Sequence, residues 1–388
     1  MNIFPYEDPA TPEKVDIDRN KLEKVVSRFK DQQAAGLFPG GQLVLRRYGK
    51  VVTNETCGMS RGMRSGEPVE PVAVQPFTPF PVLSSGKPIA AVVIAILEDR
   101  KLFDVKAPIA KLIPEFSLHG KENITTLDVL THRAGIILPE LANDPTLWGN
   151  REAVLKHLIE ARPAYKRGTF AYMPWEYGLI LSEICRRIDG RTLPDFAAEE
   201  ISAPLRLPSL KYGLAGRNLD SLAFTYWLGK KKHMIAGMNV AEKFEAVNNS
   251  VEFFNAANPA VSLVTDAASL AAFYEFLVNK GVTNSGQRLI SEEIIQKYTT
   301  QGLFGWDKSN RTFLTLGRGF MLGSRSPSPF GWWNTQKCFG HGGGFSSLAF
   351  GDFETGISAV IVTNGNRGPL DYAKRFIALA QGLRKACC

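Results

Sequence analysis

Ser84-Ser85-Gly86-Lys87 stands directly before the aliphatic run Pro88-Ile89-Ala90-Ala91-Val92-Val93-Ile94-Ala95-Ile96-Leu97. A proline in the first turn followed by aliphatic residues reads as the start of a buried helix. The three-residue spacing puts Ser84 and Lys87 on one face of that turn, where the amine reaches the hydroxyl. Backbone N–H groups left unpaired at a helix start favour the oxyanion that forms when a serine attacks a carbonyl. A lysine among aliphatic side chains loses the solvation of its charged form, which depresses its pKa and lets it move protons. The pair is therefore a candidate nucleophile and base. The same tetrapeptide also suits a capping serine with a snorkelling lysine, so its chemistry depends on what the chain brings beside it.

The elements that must position this pair come from both chain ends. Leu22, Val25, Val26 and Phe29 recur at helical spacing behind Asp18, and Gln42 to Val52 reads as a hairpin turned at Gly49. The middle is mostly helical, with patterns at Ala153 to Ala161, Tyr177 to Ile188 and Asp266 to Val278. Strand patterns return at Gly319 to Gly323, Ser346 to Phe350 and Ile357 to Thr363, and Leu370 to Leu383 closes the chain as a helix. This predicts an α/β (α+β) fold: residues 1–83 and 280–388 form an antiparallel sheet flanked by helices, residues 84–279 form a mainly helical region, and the site lies between them. Phe304, Trp306, Phe330, Trp332 and Trp333 are expected either to line an apolar pocket or to pack in the core.

Composition narrows the function classes. The 388 residues carry 46 Lys plus Arg against 38 Asp plus Glu, a net +8 that is scattered except for Lys230-Lys231-Lys232, so a nucleic-acid surface is not expected. The five cysteines have no C-x-x-C spacing, which fits reduced thiols better than a disulfide framework or a metal site. No apolar stretch reaches the ~18 residues of a membrane span, and the first residues lack a basic start followed by an apolar run. A cytoplasmic protein with no membrane partner is the expectation; no metal or cofactor is called for, and the oligomeric state is left open. Cys387-Cys388 is read as a chance or flexible terminal pair rather than a lipidated tail.

Three further segments, in this order, carry a resemblance. Ile124-Thr125-Thr126-Leu127-Asp128-Val129-Leu130-Thr131-His132-Arg133-Ala134-Gly135 is followed by Gly168-Thr169-Phe170-Ala171-Tyr172-Met173-Pro174-Trp175-Glu176-Tyr177, and then by Phe339-Gly340-His341-Gly342-Gly343-Gly344. With Ser84 and Lys87 they resemble the serine β-lactamase and penicillin-binding protein superfamily, in the class C branch that holds family VIII carboxylesterases. The resemblance covers roughly Phe38 to Asn366. It implies that Ser84 forms an acyl-enzyme, that Tyr172, its phenolate favoured by Lys87, acts with that lysine as general base toward the serine and as general acid toward the leaving group, and that His132 is structural. It places His341 beside the nucleophile, where it hydrogen-bonds or carries partial positive charge. It assigns the oxyanion to the backbone N–H groups of Ser84 and Gly344, with Gly343 and Trp175 among the substrate-contacting residues.

Pro259-Ala260-Val261-Ser262 matches a scaffold segment of the branch and is not expected to belong to the site. Pro174 replaces an asparagine that binds the substrate amide in that family, and proline offers no side-chain donor or acceptor. The resemblance with this departure implies hydrolysis of small esters. Acyl transfer through the same acyl-enzyme, β-lactam or D-amino-acid peptide hydrolysis, and a binding protein on a hydrolase fold are the alternatives. The Lys230 to Lys232 stretch is read as either a cleft rim that sets substrate preference or a solvated loop.

Overall fold

The computed structural model describes residues 3–64, 69–231, 234–235, 238–324 and 328–387. Helix α1, Arg19–Ala34, starts where the Asp18 carboxylate accepts the Lys21 N–H at 3.0 Å. It turns Leu22, Val25 and Phe29 inward. Strands β1, Gly40–Arg47, and β2, Lys50–Arg61, follow as a hairpin. Tyr48 and Gly49, with φ of 53° and 75°, supply the two left-handed residues that a tight hairpin turn requires.

These strands join a nine-stranded sheet with β3, Val72–Ala73; β4, Leu303–Asp307; β5, Thr312–Leu316; β6, Met321–Leu322; β7, Cys338–Gly343; β8, Ser347–Asp352; and β9, Ile357–Thr363. Their order is β4-β5-β6-β7-β8-β9-β1-β2-β3, and every pairing is antiparallel. Leu43, Leu45, Leu348, Phe350 and Ile361 pack in one core with residues of α1 and of the last helix, α5, Ala378–Lys385. Val44, Ala349, Val360 and Val362 belong to the second core, with α4, Ala267–Val278, against the sheet. Because both faces are covered, β9 is buried at every position and shows none of the polar alternation of a half-exposed strand. The helix that covers the second face thus comes from within residues 84–279, the stretch expected to form the helical region.

That region centres on α2, Lys87–Asp99, buried continuously from Lys87 to Leu97 and packed against α3, Glu176–Asp189. A helix apolar all round belongs inside the molecule. Among the described residues, no helix is long and apolar enough to cross a membrane.

Two expectations are corrected. Strands β4 and β5 carry no clear period-two pattern and escape a sequence reading; of the aromatics expected around a pocket or core, Phe304 and Trp306 stand exposed on this edge hairpin, Trp332 and Trp333 are also exposed, and Phe330 alone is fully buried. The strand at Gly319 to Gly323 shortens to Met321–Leu322. Lys231 lines a cavity of about 980 Å³ with Gln33, Phe38, Arg64, Trp227 and Glu245, and none of Ser84, Lys87, Tyr172 or His341 is in its wall. Lys232 and Cys388 lie outside the described residues; the other four cysteines are free thiols.

Candidate active site

Ser84 sits in a 3₁₀ turn, Leu83–Gly86, that leads into α2 at Lys87. Leu83, just before it, has φ 49°, a left-handed conformation that costs a non-glycine residue about 1–2 kcal/mol. Such a conformation persists where the surroundings enforce it. Here Ser85 Oγ donates to the His341 carbonyl at 3.0 Å and lies 2.9 Å from Ser347 Oγ, while Ser347 Oγ donates to the Val82 carbonyl at 2.9 Å. Ser85 and Ser347 are wholly buried, so they tie the turn that carries Ser84 to β7 and β8.

Lys87 is fully buried. Its Nζ lies 3.2 Å from Ser84 Oγ and donates to the carbonyls of Pro174 at 3.0 Å and Ala260 at 2.9 Å. Burial pushes its pKa down to about 7, against a smaller upward pull from Glu176. The segment Pro259-Ala260 expected to be scaffold therefore contributes to the site through a backbone carbonyl. Asn258 braces it, its side chain accepting the Ala260 N–H at 3.0 Å and donating to the Trp175 carbonyl at 3.2 Å.

Tyr172 is held from three sides. Its N–H donates to Asp307 on β4 at 2.9 Å, its ring stacks on His132 at 4.4 Å, and Lys87 Nζ stands 5.0 Å from its ring centre. His132 Nδ1 accepts the Met173 N–H at 3.0 Å. Burial holds His132 neutral, consistent with a structural histidine. The Tyr172 hydroxyl faces that of Ser84, and burial raises its pKa well above the usual phenol value. The phenolate expected from the family resemblance is therefore disfavoured.

His341 is buried, its ring 6.2 Å from that of Tyr172. Nδ1 lies 2.6 Å from the Gly342 carbonyl, and since a carbonyl only accepts, Nδ1 carries the proton. Burial and the neighbouring Lys87 push its pKa down to about 3, so the partial positive charge expected of it is absent at neutral pH.

Gly343, the last residue of β7, and Gly344 after it lie against the turn that carries Ser84. A Cβ on Gly343 would stand 2.0 Å from the Val82 carbonyl oxygen and 2.9 Å from the Ser85 nitrogen; one on Gly344, where φ is 48°, would stand 2.0 Å from Leu83 Cδ1. Only glycine permits this approach, which sets the end of β7 beside Ser84. Trp175 is half-buried beside Pro174, and its ring packs on Trp148 at 4.8 Å and Phe253 at 6.0 Å. Among the described residues no cluster of three or more His, Cys, Asp or Glu side chains is arranged to hold a metal.

The structure thus brings Ser84, Lys87, Tyr172 and His341 together. The family profile described as Beta-lactamase matches residues 25–383. The esterase/beta-lactamase LipL of Mycobacterium tuberculosis (strain ATCC 25618 / H37Rv) is 27% identical over 326 residues, 79% of this chain and 74% of that protein. A penicillin-binding protein homolog from Caulobacter crescentus superposes with a TM-score of 0.80 at 26% identity, over 95% of this chain and 98% of that one. A family VIII carboxylesterase superposes with a TM-score of 0.77 at 24% identity, over 94% and 98%. With nearly the whole length matched in profile and fold, the chain belongs to the Beta-lactamase family and is a serine hydrolase.

Proposed function

We propose that this protein hydrolyses small carboxylic esters through an acyl-enzyme on Ser84. The observation that carries the reading is the buried Lys87 amine 3.2 Å from Ser84 Oγ, with its pKa lowered to about 7. Neutral Lys87 takes the Ser84 proton as Oγ attacks the ester carbonyl, and the N–H groups of Ser84 and Gly344 stabilise the oxyanion. The intermediate expels the alkoxide, which takes a proton from Tyr172; the Lys87 ammonium returns its proton to Tyr172. Water then attacks the acyl-serine, gives a proton to the same pair, and releases the acid.

Two features favour a neutral ester over a β-lactam or a peptide. Pro174 has no side-chain group for an amide. Neutral His341 supplies no cation for a substrate carboxylate. The carboxylesterase neighbour is named for ester hydrolysis, and the mycobacterial relative's name gives both esterase and β-lactamase.

The test is hydrolysis of p-nitrophenyl acetate and butyrate by the wild type and Ser84→Ala, with a chromogenic cephalosporin in parallel. Ester turnover that is lost in the variant and exceeds cephalosporin cleavage is expected. Turnover that survives in Ser84→Ala would overturn the assignment of the nucleophile, and cephalosporin cleavage exceeding ester turnover would overturn the substrate class.

A further inference from the structure

Glu176 occupies the first position of α3, two residues after the Pro174 carbonyl that holds Lys87. It is 1% exposed. Oε1 accepts the Leu138 N–H at 2.6 Å and Oε2 accepts the Trp175 N–H at 3.3 Å. Burial raises its pKa from the ordinary carboxylate value, while the Leu138 and Trp175 N–H groups and the neighbouring Lys87 amine oppose that rise and favour the ionised form. The clamp on Trp175 fixes the turn whose preceding carbonyl is a ligand of Lys87 Nζ, and the Trp175 carbonyl is in turn held by Asn258, which also braces Ala260. Both carbonyls on the lysine thus lean on the network that Glu176 anchors.

The groups that face Lys87 come from four parts of the fold. Ser84 lies on its own turn. Tyr172 and Tyr177, with ring centres 5.0 and 5.7 Å from Nζ, belong to the segment that carries Glu176. His132 comes from the segment before it and His341 from β7. Burial keeps both histidines and both tyrosines uncharged at neutral pH. Glu176 is the acid whose charge acts on the amine.

We propose that Glu176 is a positioning residue for the Lys87 base. Its carboxylate, clamped by Leu138 and Trp175, fixes the Pro174 carbonyl on Nζ and sets a negative charge within electrostatic reach of the amine, thereby setting the pH at which Ser84 becomes nucleophilic. This rests on reading Ser84 and Lys87 as nucleophile and base. Since a nearby anion favours the ammonium, removing it must lower the pKa of Lys87 further and extend activity to lower pH.

The experiment compares pH profiles of kcat/KM for p-nitrophenyl acetate. In Glu176→Gln, of the same shape without the charge, the acid limb is expected to move down by about one unit. Glu176→Asp, which keeps the charge but shortens the reach, is expected to lower kcat while leaving the limb within about 0.3 unit of the wild type. Coincident limbs for wild type and Glu176→Gln, or an Asp limb that moves as far as the Gln limb, would overturn the proposal. Should Glu176→Gln fail to fold by thermal unfolding, the Asp variant decides alone: an unmoved limb supports the proposal and a moved one sinks it. Ser84→Ala separates the two levels. If that variant keeps hydrolysing, the site reading fails; if it is inactive and the Gln limb stays put, only the role of Glu176 fails.

Discussion

Lys87 Nζ stands 3.2 Å from Ser84 Oγ while two carbonyls, Pro174 and Ala260, fill its other directions at 3.0 and 2.9 Å. Carbonyl oxygens only accept, so each takes an N–H. A neutral amine has two N–H groups and one lone pair; with the carbonyls served, the lone pair is left for the Ser84 hydroxyl. The three partners hold the ammonium as donor to Ser84 Oγ and, once it is neutral, leave its lone pair aimed at the Ser84 hydroxyl proton. Lys87→Met, similar in length but without a lone pair, should lower kcat/KM for p-nitrophenyl acetate by about 10²–10⁴. Activity within a few-fold of wild type, with thermal unfolding unchanged, would remove Lys87 from the mechanism.

The pH profile follows from the same environment. Lys87 acts as a base only when neutral, and burial lowers its pKa to about 7, so kcat/KM should fall tenfold per unit as pH drops below that value. On the proposed mechanism Tyr172 gives its proton as a neutral acid, and burial moves its ionisation upward, away from the working range. His341, at about 3, adds no limb near neutrality. The expected curve rises to a plateau without a descending limb below about pH 9. A bell with its falling side near neutrality, measured with a buffer-insensitive ester, would show that another group supplies the acid.

Close approach at the end of β7 gives a steric test. In Gly343→Ala the new methyl would meet the Val82 carbonyl at 2.0 Å, so either the strand or the nucleophile's turn must withdraw. On the proposed mechanism this draws the Gly344 N–H away from the oxyanion, and loss of one such donor lowers kcat by about 10²–10³. KM should change much less, because the ground-state carbonyl does not carry the developing charge. Equal losses in binding and turnover would point to general disorder of the site instead.

How far the site was legible depended on which atoms do the work. Ser84 and Lys87 could be read from local spacing before a buried helix. Tyr172 and His341 could be placed only through the order of motifs, since a tyrosine among apolar residues and a histidine among glycines have ordinary structural uses. The carbonyls of Pro174 and Ala260 left no mark, because every residue has one and only the fold shows where it points. Ser85, Ser347 and Asp307 were missed for a related reason: their bonds to His341, Val82 and Tyr172 cross more than a hundred residues of chain. The sheet was readable where strands are buried on both faces, as in β9, and not at the exposed hairpin of β4 and β5, whose aromatics resemble pocket residues until their exposure is seen.

Pro174 separates backbone from side-chain contributions at one position. It is exposed, and its carbonyl serves Lys87, a bond that any residue in the same conformation would make. Pro174→Asn should therefore keep Lys87 in place and leave ester hydrolysis within about threefold of wild type. The new side chain adds an amide donor and acceptor next to the nucleophile. One such hydrogen bond to a substrate amide contributes about 1 kcal/mol, so cleavage of a chromogenic cephalosporin should rise about three- to tenfold in kcat/KM. Steady-state rates for both substrates on both proteins decide the matter. Raised cephalosporin turnover with ester turnover preserved would show that the missing side chain, and not the base, limits the substrate range. Loss of both activities would show that proline's fixed φ is needed to aim the carbonyl at Lys87, which makes this position part of the base's support.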